Sequence, residues 1–380
     1  MRAAPVLVLI AAVIVASGPA QAAALDPQPA LEGLAFPTNM AFLPDGTLLF
    51  TEKDTGSVRV VRPAGELADR PLTTVPVVPG AERGLLGIAV HPDFDRGSWI
   101  YLYYSDPADG LNRLVRLRSD GDVATGEPEV LVVGLTAAAG YHNGGDMVFA
   151  PDGTLFVALG EAHERERAQD PSDIGGKILR LEADGDVPPD NPFGPDNPAW
   201  SIGHRNSFGL CVDPANGELW ETENGPDVDD EVNLIEEGAN YGWPVVTGSA
   251  GDERFVDPIA VFPSPIALTG CAVVDGDLWF GSFDGRLWRL ADGARGSGEP
   301  AEVARFPAGV TDVVLGPDGL VYVATADAIW TVDPHEVQAG EPSPGDESSS
   351  SWRAPLTLVL IAVLAGALIA RLVAGRRPES

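Results

Sequence analysis

The chain is poor in positive charge. Its 380 residues carry 24 Lys and Arg against 56 Asp and Glu, a formal net charge of −32, and lysine occurs only at Lys53 and Lys177. That imbalance argues against nucleic acid or an anionic membrane surface as a partner, since both attract a positive potential. It is compatible with divalent cations, or with a salty environment. Cysteine is almost lacking: only Cys211 and Cys271 are present, so a disulfide and two buried free thiols both remain open. Strong helical periodicity is missing throughout, which leaves alternating, strand-type patterning as the main signal.

Long apolar runs are confined to the two ends. Arg2, an apolar run from Ala4 to Ala16 and the small-x-small triplet Ala20-Gln21-Ala22 predict a secretory signal peptide over 1–22, with an uncleaved anchor as the alternative. At the other end, 336–353 includes GEPSPGDESSSS, a polar linker that cannot build a core. An uncharged run from Ala354 to Ala370 follows, closed by Arg371, Arg376 and Arg377. At about 1.5 Å per residue it spans roughly 25 Å, and Leu372 to Ala374 extend it past one charge that can snorkel. A transmembrane helix over 354–374 is expected, with a short cytoplasmic tail, 375–380, placed inside by its arginines. The globular part, 31–335, would then lie outside the cell.

One phrase recurs along that globular part. Phe42-Leu43-Pro44-Asp45-Gly46-Thr47-Leu48 is matched by Phe149-Ala150-Pro151-Asp152-Gly153-Thr154-Leu155. Looser versions stand at Val90-His91-Pro92-Asp93, Val212-Asp213-Pro214, Val274-Asp275-Gly276 and Gly316-Pro317-Asp318-Gly319. Each is a tight turn between strands, with proline presetting φ and glycine accepting a positive one. Six such units, roughly 40 to 65 residues apart, predict an all-β, six-bladed β-propeller, a pair of sandwiches being the alternative.

Three clusters interrupt the repeat. In the first, Tyr141-His142-Asn143-Gly144-Gly145 precedes a plain hairpin that ends at Glu161, and His142 is one of five histidines. An imidazole near a carboxylate is the usual general-base pairing, against a histidine that merely caps a turn. The second, Gly203-His204-Arg205-Asn206, offers a planar donor fork plus an amide, suited to a carboxylate or quinone oxygen, or to bridging two blades. The third, Glu223-Asn224-Gly225-Pro226-Asp227-Val228-Asp229-Asp230-Glu231, has five carboxylates in nine residues and invites a hard cation, although a solvated acidic loop fits too.

In order, GLLGIAVHPDF, YHNGGDMVFAPDGTLFVALGE, IGGKILRLEADGDVPPDNPF, GHRNSFGL and ENGPDVDDEVNLIEEGANYGWP resemble the soluble glucose/sorbosone dehydrogenase family over roughly Leu34 to Pro334. The resemblance implies a six-bladed propeller that oxidises aldose sugars with pyrroloquinoline quinone (PQQ) and calcium. It places His142 on the catalytic base and Glu161 where an aspartate usually orients it. Arg205 and Asn206 fall on the pair that contacts PQQ, with Asn143 and Glu82 near further cofactor contacts. Gly225 and Pro226 fall on the carbonyls that hold a Lewis-acidic calcium, and Asp230, Glu231 and Tyr241 on ligands of a structural one.

The likeness breaks in the last two blades. Where the family supplies a lysine and two arginines, this chain has Asp284, Gly309 and Thr311. PQQ carries three carboxylates, so each lost charge-assisted bond weakens binding by about 1.5–3 kcal/mol. Arg83, Arg286, Arg289 and Arg305 are candidate replacements. The leading reading is an exported, membrane-tethered sugar dehydrogenase. The alternatives are a calcium-stabilised propeller that binds surface glycans or proteins and, more distantly, a calcium-dependent lactonase.

Overall fold

A computed structural model describes residues 25–135, 140–291 and 298–336. The expected signal peptide, most of the linker, the membrane segment and the tail lie outside the described residues. Among the described residues no helix is long and apolar enough to cross a membrane.

Six four-stranded antiparallel sheets form a β-propeller. Their strands follow chain order within each blade. The first blade is Pro37–Phe42, Leu48–Glu52, Ser57–Val61 and Thr73–Thr74, and the second runs from Leu85–Val90 to Ala124–Leu135. The third begins at Met147–Phe149, the fourth at Ser207–Val212 and the fifth at Leu268–Val274. The sixth breaks the rule: Val310–Leu315, Val321–Thr325 and Ala328–Val332 are completed by Gln28–Glu32, from the start of the globular part. This outer strand closes the ring with main-chain hydrogen bonds between distant parts of the chain. The sheet therefore starts at Gln28, slightly before the expected boundary at Leu31.

The repeated phrase has one local cause. In the first blade the Asp45 carboxylate accepts the Thr47 N–H at 2.9 Å, with Gly46 at φ 87°; in the third Asp152 accepts Thr154 N–H at 2.9 Å, with Gly153 at φ 90°. In the fifth, Asp275 and Gly276 both take positive φ, as a two-residue type I′ hairpin requires. Second strands such as Leu48–Glu52 and Leu155–Leu159 are buried on both faces, because each blade is covered by its neighbours. The core is thus divided among the blade interfaces. Leu49 and Val60 of the first blade pack with Ile88 and Leu102 of the second, and Trp279 and Leu287 of the fifth with Val313 and Val323 of the sixth.

The first strand of every blade is an edge strand facing the axis, and its free N–H groups need acceptors. Side chains supply them. Asn39 Oδ1 accepts Ile88 N–H at 2.8 Å, and its Nδ2 donates to Asp146 Oδ1 at 3.0 Å. Asp146 Oδ2 accepts Leu210 N–H at 2.7 Å, while Asp312 Oδ2 accepts Met40 N–H at 2.7 Å. Burial pushes the Asp146 pKa up to about 6; burial, then the charge of Asp146, raises that of Asp312 well above the carboxylate range. Beside this girdle Cys211 and Cys271 are disulfide-bonded, joining the inner strands of the fourth and fifth blades.

Candidate active site

Asn39, Asp146 and Asp312 divide the axial channel in two. On one side lies an open funnel lined by the first strands of all six blades. On the other is a cavity of about 340 Å³, within the range of small-molecule sites. Phe36, Leu86, Phe208 and Phe283 give it apolar walls, and Lys53, Glu82, Tyr141 and Asn224 give it polar ones.

His142 is held beside this cavity by three contacts. Its backbone has φ 57°, a conformation costly for a residue with a side chain. Its N–H donates to Glu82 Oε2 at 2.6 Å, and Nδ1 lies 2.7 Å from Glu161 Oε1. The ring stacks on His163 at 4.2 Å between centroids. A proton on Nδ1, donated to Glu161, leaves a lone pair on Nε2. The neighbouring glycines are close-approach positions: a Cβ on Gly160 would meet His142 O at 2.2 Å, and one on Gly144 would meet Ala158 O at 2.4 Å. Tyr141 and Gly144 line the cavity, whereas the His142 side chain is buried against Glu161. Glu82 lines the cavity and fixes the His142 backbone. Asn143 is pinned through Oδ1 by Asn112 Nδ2 at 3.1 Å, which leaves its buried Nδ2 without a partner.

Arg205 and Asn206 arrive from the loop that opens the fourth blade. Arg205 Nη1 donates to the carbonyls of Asn224 and Gly225 at 2.7 and 2.8 Å, and the guanidinium lies over the Trp243 ring. A cationic side chain therefore occupies one of the two carbonyls expected to hold calcium. Asn206 is buried with Oδ1 unpartnered. Gly225, Pro226, Glu231 and Tyr241 surround an enclosed space of about 10 Å³ with Asp229 and Trp243, room for one ion or water. Of the three residues expected at a separate, structural ion, Glu231 and Tyr241 line this same space and Asp230 does not. Its carboxylate accepts N–H bonds from Gly225, Ile266 and Ala267, at 2.7–2.9 Å, and braces the fourth blade against the fifth. Its neighbour Asp229 does line the space. The Tyr241 hydroxyl is likewise engaged, with Leu234 O and Glu236 N–H. Glu231 accepts Gly248 N–H at 2.6 Å, and burial, then the charge of Glu223, raises its pKa to about 8.

The far wall, from the fifth and sixth blades, carries no cation among its described lining residues. A Cβ on Gly309 would meet Phe283 O at 2.5 Å, so no arginine fits there without displacing Phe283. Thr311 donates to Pro37 O at 2.7 Å. Asp284 pairs with Arg286, Arg289 with Asp277 and Arg305 with Glu302. None of these three arginines lines the cavity, so the expected compensation from them is not what the structure shows.

The cation that does line it is Lys53, which the sequence marks only by the rarity of lysine. Its Nζ contacts Asp54 and the carbonyls of Ala81 and Arg83, and lies 5.2 Å from the Phe36 centroid. Arg83 Nε and Trp243 Nε1 are buried donors without partners. Lys177, the other lysine, donates to the carbonyls of Arg167, Ala168 and Gly175 and fastens the insertion that follows Glu161. The apolar walls suit a planar ligand such as PQQ, but among the described lining residues Lys53 is the one cation to meet its carboxylates and Glu82 stands opposed. The one-ion space at Gly225 and Pro226 has the oxygen donors that calcium takes, but Arg205 shares its lining and already holds the Gly225 carbonyl.

Comparison with known proteins agrees with this fold. Residues 34–329 match the Glucose / Sorbosone dehydrogenase family. The chain is 31% identical over 328 residues to the aldose sugar dehydrogenase YliI of Escherichia coli, covering 78% of this chain and 88% of that one. It is 31% identical over 257 residues to quinoprotein glucose dehydrogenase B of Acinetobacter calcoaceticus, covering 59% and 53%. The PQQ-bound aldose sugar dehydrogenase of Streptomyces coelicolor superposes with a TM-score of 0.74 at 32% identity, over 80% of this chain and 96% of that one. With its six-bladed propeller, the match over residues 34–329 and these relatives, the chain belongs to the glucose/sorbosone dehydrogenase family.

Proposed function

We propose that this protein is an exported quinoprotein that oxidises the C1 hydroxyl of aldose sugars to lactones, using PQQ and calcium. The observation that carries the reading is the buried His142–Glu161 pair, held beside the cavity by the Glu82 bond to a positive-φ backbone. PQQ supplies, when bound, a quinone able to take the hydride from C1. Nε2 of His142 takes the hydroxyl proton, and Glu161 holds the other proton at Nδ1 and stabilises the imidazolium that results. Lys53, Arg83, Arg205 and the Asn143 amide would hold the cofactor's anionic and carbonyl oxygens. Gly225, Pro226 and Glu231 would hold calcium, in competition with Arg205 for the Gly225 oxygen. The Cys211–Cys271 bond suits an oxidising, extracytoplasmic compartment, and the apolar segment 354–374 would tether the propeller at the membrane.

The test is titration of the metal-free protein with PQQ, with and without calcium, followed by dye-linked oxidation of a panel of aldoses. Calcium-dependent binding and turnover, abolished in His142→Ala, support the reading. The cation-free wall of the last two blades favours one rival, a calcium-stabilised propeller that binds a glycan or protein. No binding at micromolar PQQ, with calcium still raising the melting temperature, would select it.

A further inference from the structure

Beneath the Arg205 loop, inside the fourth blade, lies a second cluster with its own chemistry. His204, Glu221 and Asn233 are wholly buried and Glu223 nearly so. Glu221 and Glu223 stand two apart on one strand and so share a face. His204 Nδ1 lies 3.0 Å from Glu221 Oε2 and 3.4 Å from Glu223 Oε2. Its Nε2 is engaged with Ser201 Oγ at 2.8 Å, so Nδ1 is the nitrogen turned to the carboxylates. Asn233 Nδ2 reaches Glu221, Glu223 and Glu231 at 3.2, 3.4 and 3.5 Å, three long contacts to three carboxylates.

Two features separate this cluster from an ordinary hydrogen-bonded network. Glu221 Oε1 and Asn233 Oδ1 are buried without any partner, which is costly for groups that sit in water when unfolded. Also, Glu221, Glu223 and Glu231 all converge on the one Asn233 amide nitrogen, which has two hydrogens to offer three acceptors. A divalent ion between His204 Nδ1 and the two carboxylates would relieve the crowding of acceptors. Ligands about 2.0–2.1 Å from a tetrahedral metal lie about 3.3 Å apart, close to the spacings between His204 and its two carboxylates. Turning the Asn233 amide over brings its oxygen to the position of Nδ2, as a fourth ligand. Ser201 is the outer partner that orients a ligating histidine.

We propose that His204, Glu221, Glu223 and Asn233 form a structural site for one transition-metal ion of the zinc type, adjoining the space at Gly225 and Pro226, whose lining Glu223 shares. A mixed nitrogen and carboxylate set selects such an ion over calcium. From its place in the fold, an ion there would fasten the loop carrying Arg205 and Asn206 to the strand Leu219–Glu223. The site rests on no part of the dehydrogenase reading, and its test needs no quinone or sugar.

The purified full-length protein is dialysed against a weak chelator and its metals counted by mass spectrometry. About one zinc-type ion per chain is expected, falling at least tenfold in Glu221→Gln and His204→Gln while the calcium content holds. Stripping it with a strong chelator lowers the melting temperature by about 5 °C, restored by stoichiometric zinc. Should the variants fail to fold, cobalt added to the stripped wild-type chain decides: intense visible bands of a four-coordinate nitrogen–oxygen site support the proposal. A chain isolated without transition metal, unmoved in melting by zinc and colourless with cobalt, overturns it and leaves a buried network that shares protons.

Discussion

The two sides of the cavity mouth are built on the same repeat and differ in chemistry. The third and fourth blades bring long insertions, and with them His142, Glu161, Arg205 and the acidic loop around Gly225. The fifth and sixth have short connections, a glycine with no room for a side chain at Gly309, and arginines paired with surface carboxylates. Blade packing constrains both sides alike, so the difference lies in loops, which the scaffold leaves free to vary. One half of a binding site can change its charge without disturbing the fold that presents it.

The sharpest way to break this contrast is at His142. His142→Ala is expected to lower aldose turnover about 10²–10⁴-fold with little change in PQQ affinity, measured by dye-linked assay and quinone absorbance. Loss of binding instead of turnover would make His142 a cofactor contact and move the chemistry elsewhere. Glu161→Gln, which weakens the hold on Nδ1, should cost less and leave binding intact.

Charge is the next largest effect. Arg205→Ala and Lys53→Ala should each weaken PQQ binding by about 1.5–3 kcal/mol, roughly 10- to 150-fold. Arg286→Ala should leave it within a factor of two, because Arg286 is held by Asp284. An equal loss from Arg286 would show that the last two blades do supply a cation. Gly309→Arg, which restores the family charge, should instead destabilise the fold by about 1–3 kcal/mol, as Phe283 O stands 2.5 Å from its Cβ.

How much of this was legible follows the same division. The propeller was readable because one turn, an aspartate accepting the N–H two residues on beside a positive-φ glycine, is written out repeatedly. The His142–Glu161 pair was readable because both ends of that hairpin interrupt the pattern. Lys53 was not, since a lysine after a buried strand has no local mark of facing an axis. Neither was the presence of Asp229 at the space beside Gly225 and Pro226. Which carboxylate faces the enclosed space depends on Ile266 and Ala267, distant in sequence, whose N–H groups capture Asp230. The ring-closing strand at Gln28 has no turn signal, because its partner is at the other end of the propeller.

The disulfide sharpens the comparison from beneath, since Cys211 belongs to the fourth blade and Cys271 to the fifth. With a sequence separation of 60, chain-entropy arguments give about 4 kcal/mol. Cys211→Ser with Cys271→Ser should lower stability by up to that amount in denaturant melts, with PQQ affinity unchanged. A fall in affinity would mean that the two halves are held in register for binding as well as for folding.

The smallest expected effect comes from the axial carboxylates, which belong to neither half and tie both. Asp146 bonds the first, third and fourth blades, and Asp312 bonds the sixth to the first. Burial raises the Asp146 pKa from 3.8 to about 6, so the folded chain holds its proton more tightly than the unfolded one. The stability this contributes is fully present below pH 3.8 and is lost as pH rises through about 6. Asp312 is raised by burial in the same direction and contributes with the same sign. Melts between about pH 4 and pH 7 should therefore show stability from this region declining with pH, and Asp146→Asn should flatten the slope while keeping one acceptor oxygen. A slope unchanged by Asp146→Asn would place the titration elsewhere. A slope of opposite sign would mean that the carboxylate is ionised at the axis and that an unidentified cation there holds the blades together.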